Sequence, residues 1–270
     1  MSTIAFVGGG NMARSLIGGL VDAGHPHDAI WVSEPVESQR TALSERFGVN
    51  TTESNNEAVH AAETLVLAVK PQILKDVLEG IASTAAQTQP LVISIAAGVQ
   101  ESSIKSWLGF DARIVRCMPN TPALVGCGAT ALFANAAVGE EERARASEIL
   151  GAAGIALWVE SEDLIDAVTA VSGSGPAYFF MLMEHMIDAG VQLGLERELA
   201  TRLTLQTALG AARMAQEGSD TPSTLRENVT SPGGTTERAL NIFADGGIQS
   251  LVERALTGAR DRSRELAASS

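Results

Sequence analysis

Up to about residue 160, short runs of β-branched and apolar residues take turns with stretches of helical period. TIAFVG precedes NMARSLIGGLVDAG, AIWVSE precedes VESQRTALSERFG, TLVLAV precedes KPQILKDVLEGIA, PLVISIA precedes QESSIKSWLG, and RIVRCM follows. Such continuous apolar strands need cover on both faces, and helices between successive strands supply it; the pattern predicts a doubly wound, parallel α/β sheet. It changes after GIALWV. From Asp163 to Glu265 apolar residues recur every three or four positions with no further strand run, so the remainder is expected to be all-helical. The expected division is 1–161 and 162–270, with the boundary at Ser161.

The chain start narrows the fold to a function class. IAFVGGGNMARSL reads as strand, tight turn and helix, with the spacing Gly8-x-Gly10-x-x-Ala13. The first glycine permits the turn, the second lets a pyrophosphate approach the backbone, and Ala13 lets the helix pack close, with the helix N-terminus offering its positive end. This pattern predicts dinucleotide binding. Glu34, 21 positions beyond Ala13 at the end of the second strand, is placed to accept a ribose 2′-hydroxyl, which favours NADH. Ser33 before it, Arg40 on the next helix and a Pro35 that could turn Glu34 outward leave NADH and NADPH both open. Three more strand ends border the same crevice: Lys70 and Pro71; Ala96, Ala97 and Gly98; and Met118, Pro119, Asn120 and Thr121. Small residues and prolines there suit backbone packed against a flat ring.

Composition closes off other classes. A net charge of −13 opposes nucleic acid and anionic membrane partners, which need clustered Lys and Arg. No apolar run reaches the ~18 to 20 residues of a membrane helix. MSTIAFVGGGNMA lacks the basic start of a secretion signal, so a reducing, cytoplasmic setting is expected, with Cys117 and Cys127 buried and unpaired beside strands. No metal-ligand set stands out. His25, His27 and His60 sit at helix ends or turns, and His185 reads as a packing residue in an apolar helix.

Two glycine-rich turns lie in the helical part. In VTSPGGTTERAL, amides around Pro232, Gly233 and Gly234 converge at the start of a helix and could clamp a carboxylate; a helix N-cap by Ser231 or Thr235 is the plainer alternative. In SGSGPAYFF, the turn Gly173, Ser174, Gly175 before Pro176 reads either as a pocket wall or as close helix packing at an interface. The helix that follows is apolar on several faces (Phe179, Phe180, Met181, Leu182, Met186), which suits burial by a second subunit, or a place at the centre of its own domain.

FVGGGNMA, LAVKPQ, SIAAG, RCMPNTPA, DAVTAVSGSGPAYFF and VTSPGGTTE, in this order and at these separations, closely resemble pyrroline-5-carboxylate reductases over nearly the whole chain. The resemblance implies a Rossmann domain, an α-helical C-terminal domain interlocking in a homodimer, a ring of dimers such as a decamer, and NADPH or NADH as hydride donor to 1-pyrroline-5-carboxylate. By position it implies Gly8, Gly10, Asn11 and Met12 under the pyrophosphate, and Asn55 near the adenosine. Ala68, Lys70, Ala96 and Pro119 would line the nicotinamide. The same likeness gives Ser231, Gly233, Gly234 and Thr235 to the substrate carboxylate and the catalytic contact to the ring nitrogen to Thr236, while Ser174 is a substrate-side residue only on the pocket-wall reading of its turn. Glu34 departs from the small or basic residues many members use near the ribose. A β-hydroxyacid dehydrogenase, the nearest rival, would need a lysine on the helix after Gly175, and no lysine follows Lys105. A non-catalytic NAD(P) sensor would leave the SPGGTT turn without a purpose.

Overall fold

The computed structural model describes residues 2–268. The chain forms two compact units: one runs through Ser174 and takes in the chain again from Ala259, and the other is Gly175–Gly258. Strands end before the expected boundary at Ser161, but the compact division falls later, and the last helix contributes to both units.

The first unit alternates β1 (Ile4–Val7), α1 (Asn11–Asp22), β2 (Ile30–Ser33), α2 (Glu37–Phe47), β3 (Asn50–Thr52), α3 (Asn55–His60), β4 (Thr64–Leu67), α4 (Pro71–Thr88), β5 (Leu91–Ser94), α5 (Glu101–Leu108), β6 (Ile114–Met118), β7 (Gly128–Ala134), α6 (Glu140–Gly151) and β8 (Gly154–Trp158). The eight strands lie in the order β3-β2-β1-β4-β5-β6-β7-β8. Phe6, Leu16, Ile17, Leu20, Leu132 and Ile149 fill one apolar layer. On the other face Leu65, Leu67, Leu74, Leu78, Ile81 and Ile104 fill a second. The sheet is doubly wound, as the apolar strands require.

The sheet is not wholly parallel. β7 runs antiparallel to β6 and parallel to β8. The link from Met118 to Gly128 is too short for a crossover helix, so the chain must turn back, whereas α6 gives β8 its parallel crossover. β7 and α6 escape the periodic reading because GATALFA is weakly branched and EEERARASEILG buries only Ala146, Ile149 and Leu150.

After β8, α7 (Leu164–Val168) passes into a π-helical turn, Thr169–Gly173, in which the Ser174 amide donates to the Thr169 carbonyl at 2.8 Å. The predicted LIDAVTAVS helix is thus wound in two ways. The helices α8 (Gly175–Gln192), α9 (Arg197–Glu217), α10 (Pro222–Asn228), α11 (Thr235–Asp245) and α12 (Ile248–Ala268) complete the chain. Among residues 175–258 only Gly175, Ala200 and Thr204 are buried. Phe179 and Phe180 are 65% and 62% exposed, so α8 is not the centre of a core within its own chain. His185, expected to pack, is exposed on this same helix in the single chain.

Candidate active site

β1 lies between β2 and β4, where the strand order reverses, and its C-terminal end opens onto the crevice of the switch point. The chain turns there through Gly8, whose amide donates to the Ser33 carbonyl at 2.9 Å. Gly8 has φ +101, and a Cβ would stand 2.7 Å from the Ala68 carbonyl oxygen, so this position is glycine for reasons of fold. Gly10 differs. It is the N-cap of α1, with φ −69, and a Cβ on it would meet no protein atom within 4 Å. Packing does not ask for glycine there, while the first amides of α1 have no side-chain cap. An open, uncapped helix start beside a switch point fits a dinucleotide pyrophosphate, with Gly10, Asn11 and Met12 as its cradle.

The end of β2 carries a hydrogen-bonded set. Ser33 Oγ donates to Asn55 Oδ1 at 2.6 Å, bringing two of the predicted cofactor residues together. Glu34 is 8% exposed, and its carboxylate accepts from the Gly9 amide at 3.0 Å and the Val36 amide at 3.1 Å. Arg40 Nη1 donates to the carbonyls of Glu34 and Pro35 at 2.7 and 2.9 Å. Pro35 therefore does not turn Glu34 outward.

Of the residues predicted beside the nicotinamide, Ala68 is half-buried, Lys70 is the exposed N-cap of α4, and Pro119 is buried. Ala96 lies in the apolar layer under the sheet and is buried, 3% exposed, while Ala97 is the exposed neighbour. Ala97 and Gly98 line a cleft of about 430 Å³ with Thr169, Ser174, Arg262 and Ser263. Ser174 thus sits in a wall, as one reading of SGSGPAYFF has it, and Gly173 packs so closely on Met118 that a Cβ would lie 2.6 Å from its Cε. The α12 contribution was not legible locally, because nothing in the helical period of QSLVERALTGARDRSREL says which residues line a cleft. Ser263 Oγ donates to the buried Asp166 at 2.7 Å and pins α12 to α7. Asn120, which the sequence places at a strand end beside the crevice, donates to the Ser172 carbonyl at 3.1 Å and accepts from the Ala129 amide at 2.9 Å, holding the π-helical turn to the start of β7.

In the second unit the SPGGTT turn is closed by the Gly234 amide on the Ser231 carbonyl at 3.0 Å, with Gly233 at φ +72. Gly234 is the N-cap of α11 and no side chain caps it, so neither Ser231 nor Thr235 plays the capping part. The Gly233 amide is taken by the Glu237 carboxylate at 2.8 Å. Thr235 is exposed and Thr236 half-buried at the head of α11.

Both cysteines are unpaired. Cys117 is buried, its thiol donates to the Ser94 carbonyl at 3.1 Å, and burial pushes its pKa far up. Cys127 is exposed, contrary to expectation, because the turn before β7 carries it out of the sheet. Among the described residues no His, Cys, Asp and Glu group could hold a metal, and no helix is long and apolar enough to cross a membrane.

A family model for pyrroline-5-carboxylate reductase dimerisation matches residues 162–266, and one for coenzyme F420-dependent NADP oxidoreductases matches 3–98. A pyrroline-5-carboxylate reductase of Pseudomonas aeruginosa is 54% identical over 269 residues, which cover 99% of this chain and 98% of the relative. The chain belongs to the pyrroline-5-carboxylate reductase family. The structure of a pyrroline-5-carboxylate reductase from Coxiella burnetii matches with a TM-score of 0.96 at 46% identity, over 98% of both chains. That of Plasmodium falciparum pyrroline carboxylate reductase, with NADP bound, matches at 0.85 and 31% identity, again over 98% of each. The dimerisation model spans α7 to α12, the stretch whose apolar side chains are left exposed in a single chain. A Rossmann-like domain followed by an all-α dimerisation domain is therefore the architecture of this reductase family member.

Proposed function

We propose that this chain reduces 1-pyrroline-5-carboxylate to L-proline with NADPH or NADH, the last step of proline synthesis. The observation that carries the reading is the 54% identity to a named reductase along 99% of the chain. The open cradle at Gly10 and the uncapped SPGGTT turn lend chemical support.

A bound dihydronicotinamide supplies the hydride. The chain's own residues have a narrower task. Gly10, Asn11 and Met12 hold the pyrophosphate through backbone amides, Ser33 and Asn55 face the adenosine side, and the ends of β4, β5 and β6 present Ala68, Lys70, Ala97 and Pro119 to the nicotinamide. Ser231, Gly233, Gly234 and Thr235 take the substrate carboxylate, with the Gly234 amide staying on the Ser231 carbonyl to close the turn; the Gly233 amide becomes available when the Glu237 carboxylate leaves it. The cyclic iminium accepts hydride at carbon, and its nitrogen already carries the proton that remains in the amine product. The protein therefore acts mainly by orientation. Thr236 Oγ1 accepts from the iminium N–H and is the one side-chain contact to the reacting group.

The exposed apolar faces of α8, α9 and α12 are the interface of a homodimer, and dimers assemble further into a ring, a decamer, in a cytoplasmic setting. The test is oxidation of NADPH and NADH by the purified chain supplied with pyrroline-5-carboxylate, with proline identified as product. Dinucleotide binding without turnover would leave a sensor in its place; turnover of hydroxyacids instead would favour a β-hydroxyacid dehydrogenase.

A further inference from the structure

Glu34 occupies the place from which an acidic side chain in this fold reads the ribose 2′-hydroxyl. Here each of its oxygens already accepts one amide bond, and at 8% exposure little of the carboxylate is left open to a ribose hydroxyl. Oε2 accepts from the Gly9 amide inside the protein, and Oε1 accepts from the Val36 amide at the start of α2. The other side of the Gly9 peptide is held as well, since Arg14 Nε donates to the Gly9 carbonyl at 3.0 Å. Gly9 itself rests on Leu43, so closely that a Cβ would lie 2.7 Å from Cδ1. Arg40 then locks the turn from outside through the carbonyls of Glu34 and Pro35.

Swinging this carboxylate out to a ribose would exchange two amide bonds for one hydroxyl bond and leave the buried Gly9 amide unpaired. Charge-assisted bonds are stronger than neutral ones, and an orphaned buried donor bears its full desolvation cost, so the exchange runs uphill. We propose that Glu34 is a positioning residue that fixes the glycine turn against β2, and that it does not read the ribose. A 2′-phosphate then meets no free Glu34 carboxylate, and the Arg40 guanidinium seated on the Glu34 carbonyl offsets the field of its charge. The inference rests on the NAD(P)H reading above and goes beyond it, assigning to Glu34 an equal effect on both dinucleotides.

The test is Glu34→Gln in the full-length chain, with Kd for NADH and for NADPH measured separately by fluorescence titration in the absence of substrate. Glutamine fits the same space but presents an NH₂ to one of the two amides. Both Kd values should rise about tenfold, as losing one charge-assisted bond implies, with their ratio moving less than about threefold. KM for both dinucleotides should follow, while KM for the imine stays unchanged. A larger shift of the ratio toward NADPH, or no change in either Kd, would overturn the assignment. Should the variant not fold, hydrogen exchange in the unsubstituted protein decides the matter: NADH should leave the Val36 amide as protected as before, and faster exchange there would mean that Glu34 has let go. An unsubstituted chain that binds neither dinucleotide refutes the cofactor reading itself, an outcome distinct from any of these.

Discussion

Gly8 and Gly10 belong to one turn yet should fail in opposite ways. In Gly8→Ala the methyl is forced 2.7 Å from the Ala68 carbonyl oxygen and 2.9 Å from its carbon, and φ stays at +101 where L residues are strained. Backbone strain of about 1 to 3 kcal/mol and overpacking of about 1 to 3 kcal/mol sum to roughly 2 to 6 kcal/mol, a large share of a typical domain's stability. In Gly10→Ala the methyl meets no protein atom within 4 Å, and φ −69 with ψ −177 is open to any residue. Its effect on stability should stay within about 1 kcal/mol, the usual range for alanine in place of glycine at an N-cap. The same methyl stands where the pyrophosphate would approach, so dinucleotide affinity should fall about tenfold or more, each tenfold being ~1.4 kcal/mol. Urea unfolding at fixed protein concentration and fluorescence titration with NADPH separate the two effects. A Gly10→Ala protein that binds NADPH normally would refute the cradle. So would one that loses binding only in proportion to lost stability.

Thr236→Ala should lower kcat about 10- to 100-fold, the worth of one hydrogen bond to a charged group, while the Kd for NADPH stays near normal; unchanged turnover removes Thr236 from the mechanism. Phe180→Asp on α8 should release monomers in sedimentation velocity, because each buried phenylalanine contributes about 2 to 3 kcal/mol and a dimer loses two; an intact dimer would mean that this face is not the interface. Of the two thiols, Cys127 should react with a disulfide reagent in the native protein at pH 8, and Cys117 only after unfolding, since burial raises the pKa of Cys117 and keeps it a thiol. Equal rates would contradict the placement of β6.

Much of this architecture is legible from residues whose local and global demands agree. TIAFVG, TLVLAV and PLVISIA are apolar throughout because both faces of their strands are covered, and Gly8 is required by the turn itself. Where the facing of a side chain is decided by distant chain, the sequence is silent. SIAAG does not say whether Ala96 or Ala97 faces the cleft; Ala96 packs inward among residues of α4 and α5 and Ala97 is exposed. Glu34 has the spacing of a ribose reader, but the nearness of the Gly9 amide, which only the folded turn creates, takes its carboxylate. α12 carries an ordinary amphipathic period, and its return to the first unit from Ala259 is marked by contacts such as the Ser263 to Asp166 bond, between residues 97 positions apart.

The charge of the chain sets a last constraint on how its ligands arrive. The dinucleotide is an anion, while the protein carries a net −13 and the imine, protonated at nitrogen, is a zwitterion of no net charge. Of the arginines near the candidate sites, Arg262 is paired with Glu265 at 2.7 Å, while Arg14 and Arg40 are held on carbonyls and keep their charge. With a net −13 the long-range field of the whole chain still opposes an anion, so binding rests on short-range donors. Raising ionic strength from 0.01 to 0.1 M shortens the Debye length from about 30 Å to about 10 Å, which weakens repulsion between the acidic surface and an incoming anion but leaves contacts at about 3 Å nearly untouched. The kcat/KM for NADPH should therefore rise or hold steady with added salt over this range, the reverse of an electrostatically steered enzyme. A steep fall would show that a cationic funnel outweighs the net charge, and the amide cradle would no longer account for recognition of the pyrophosphate.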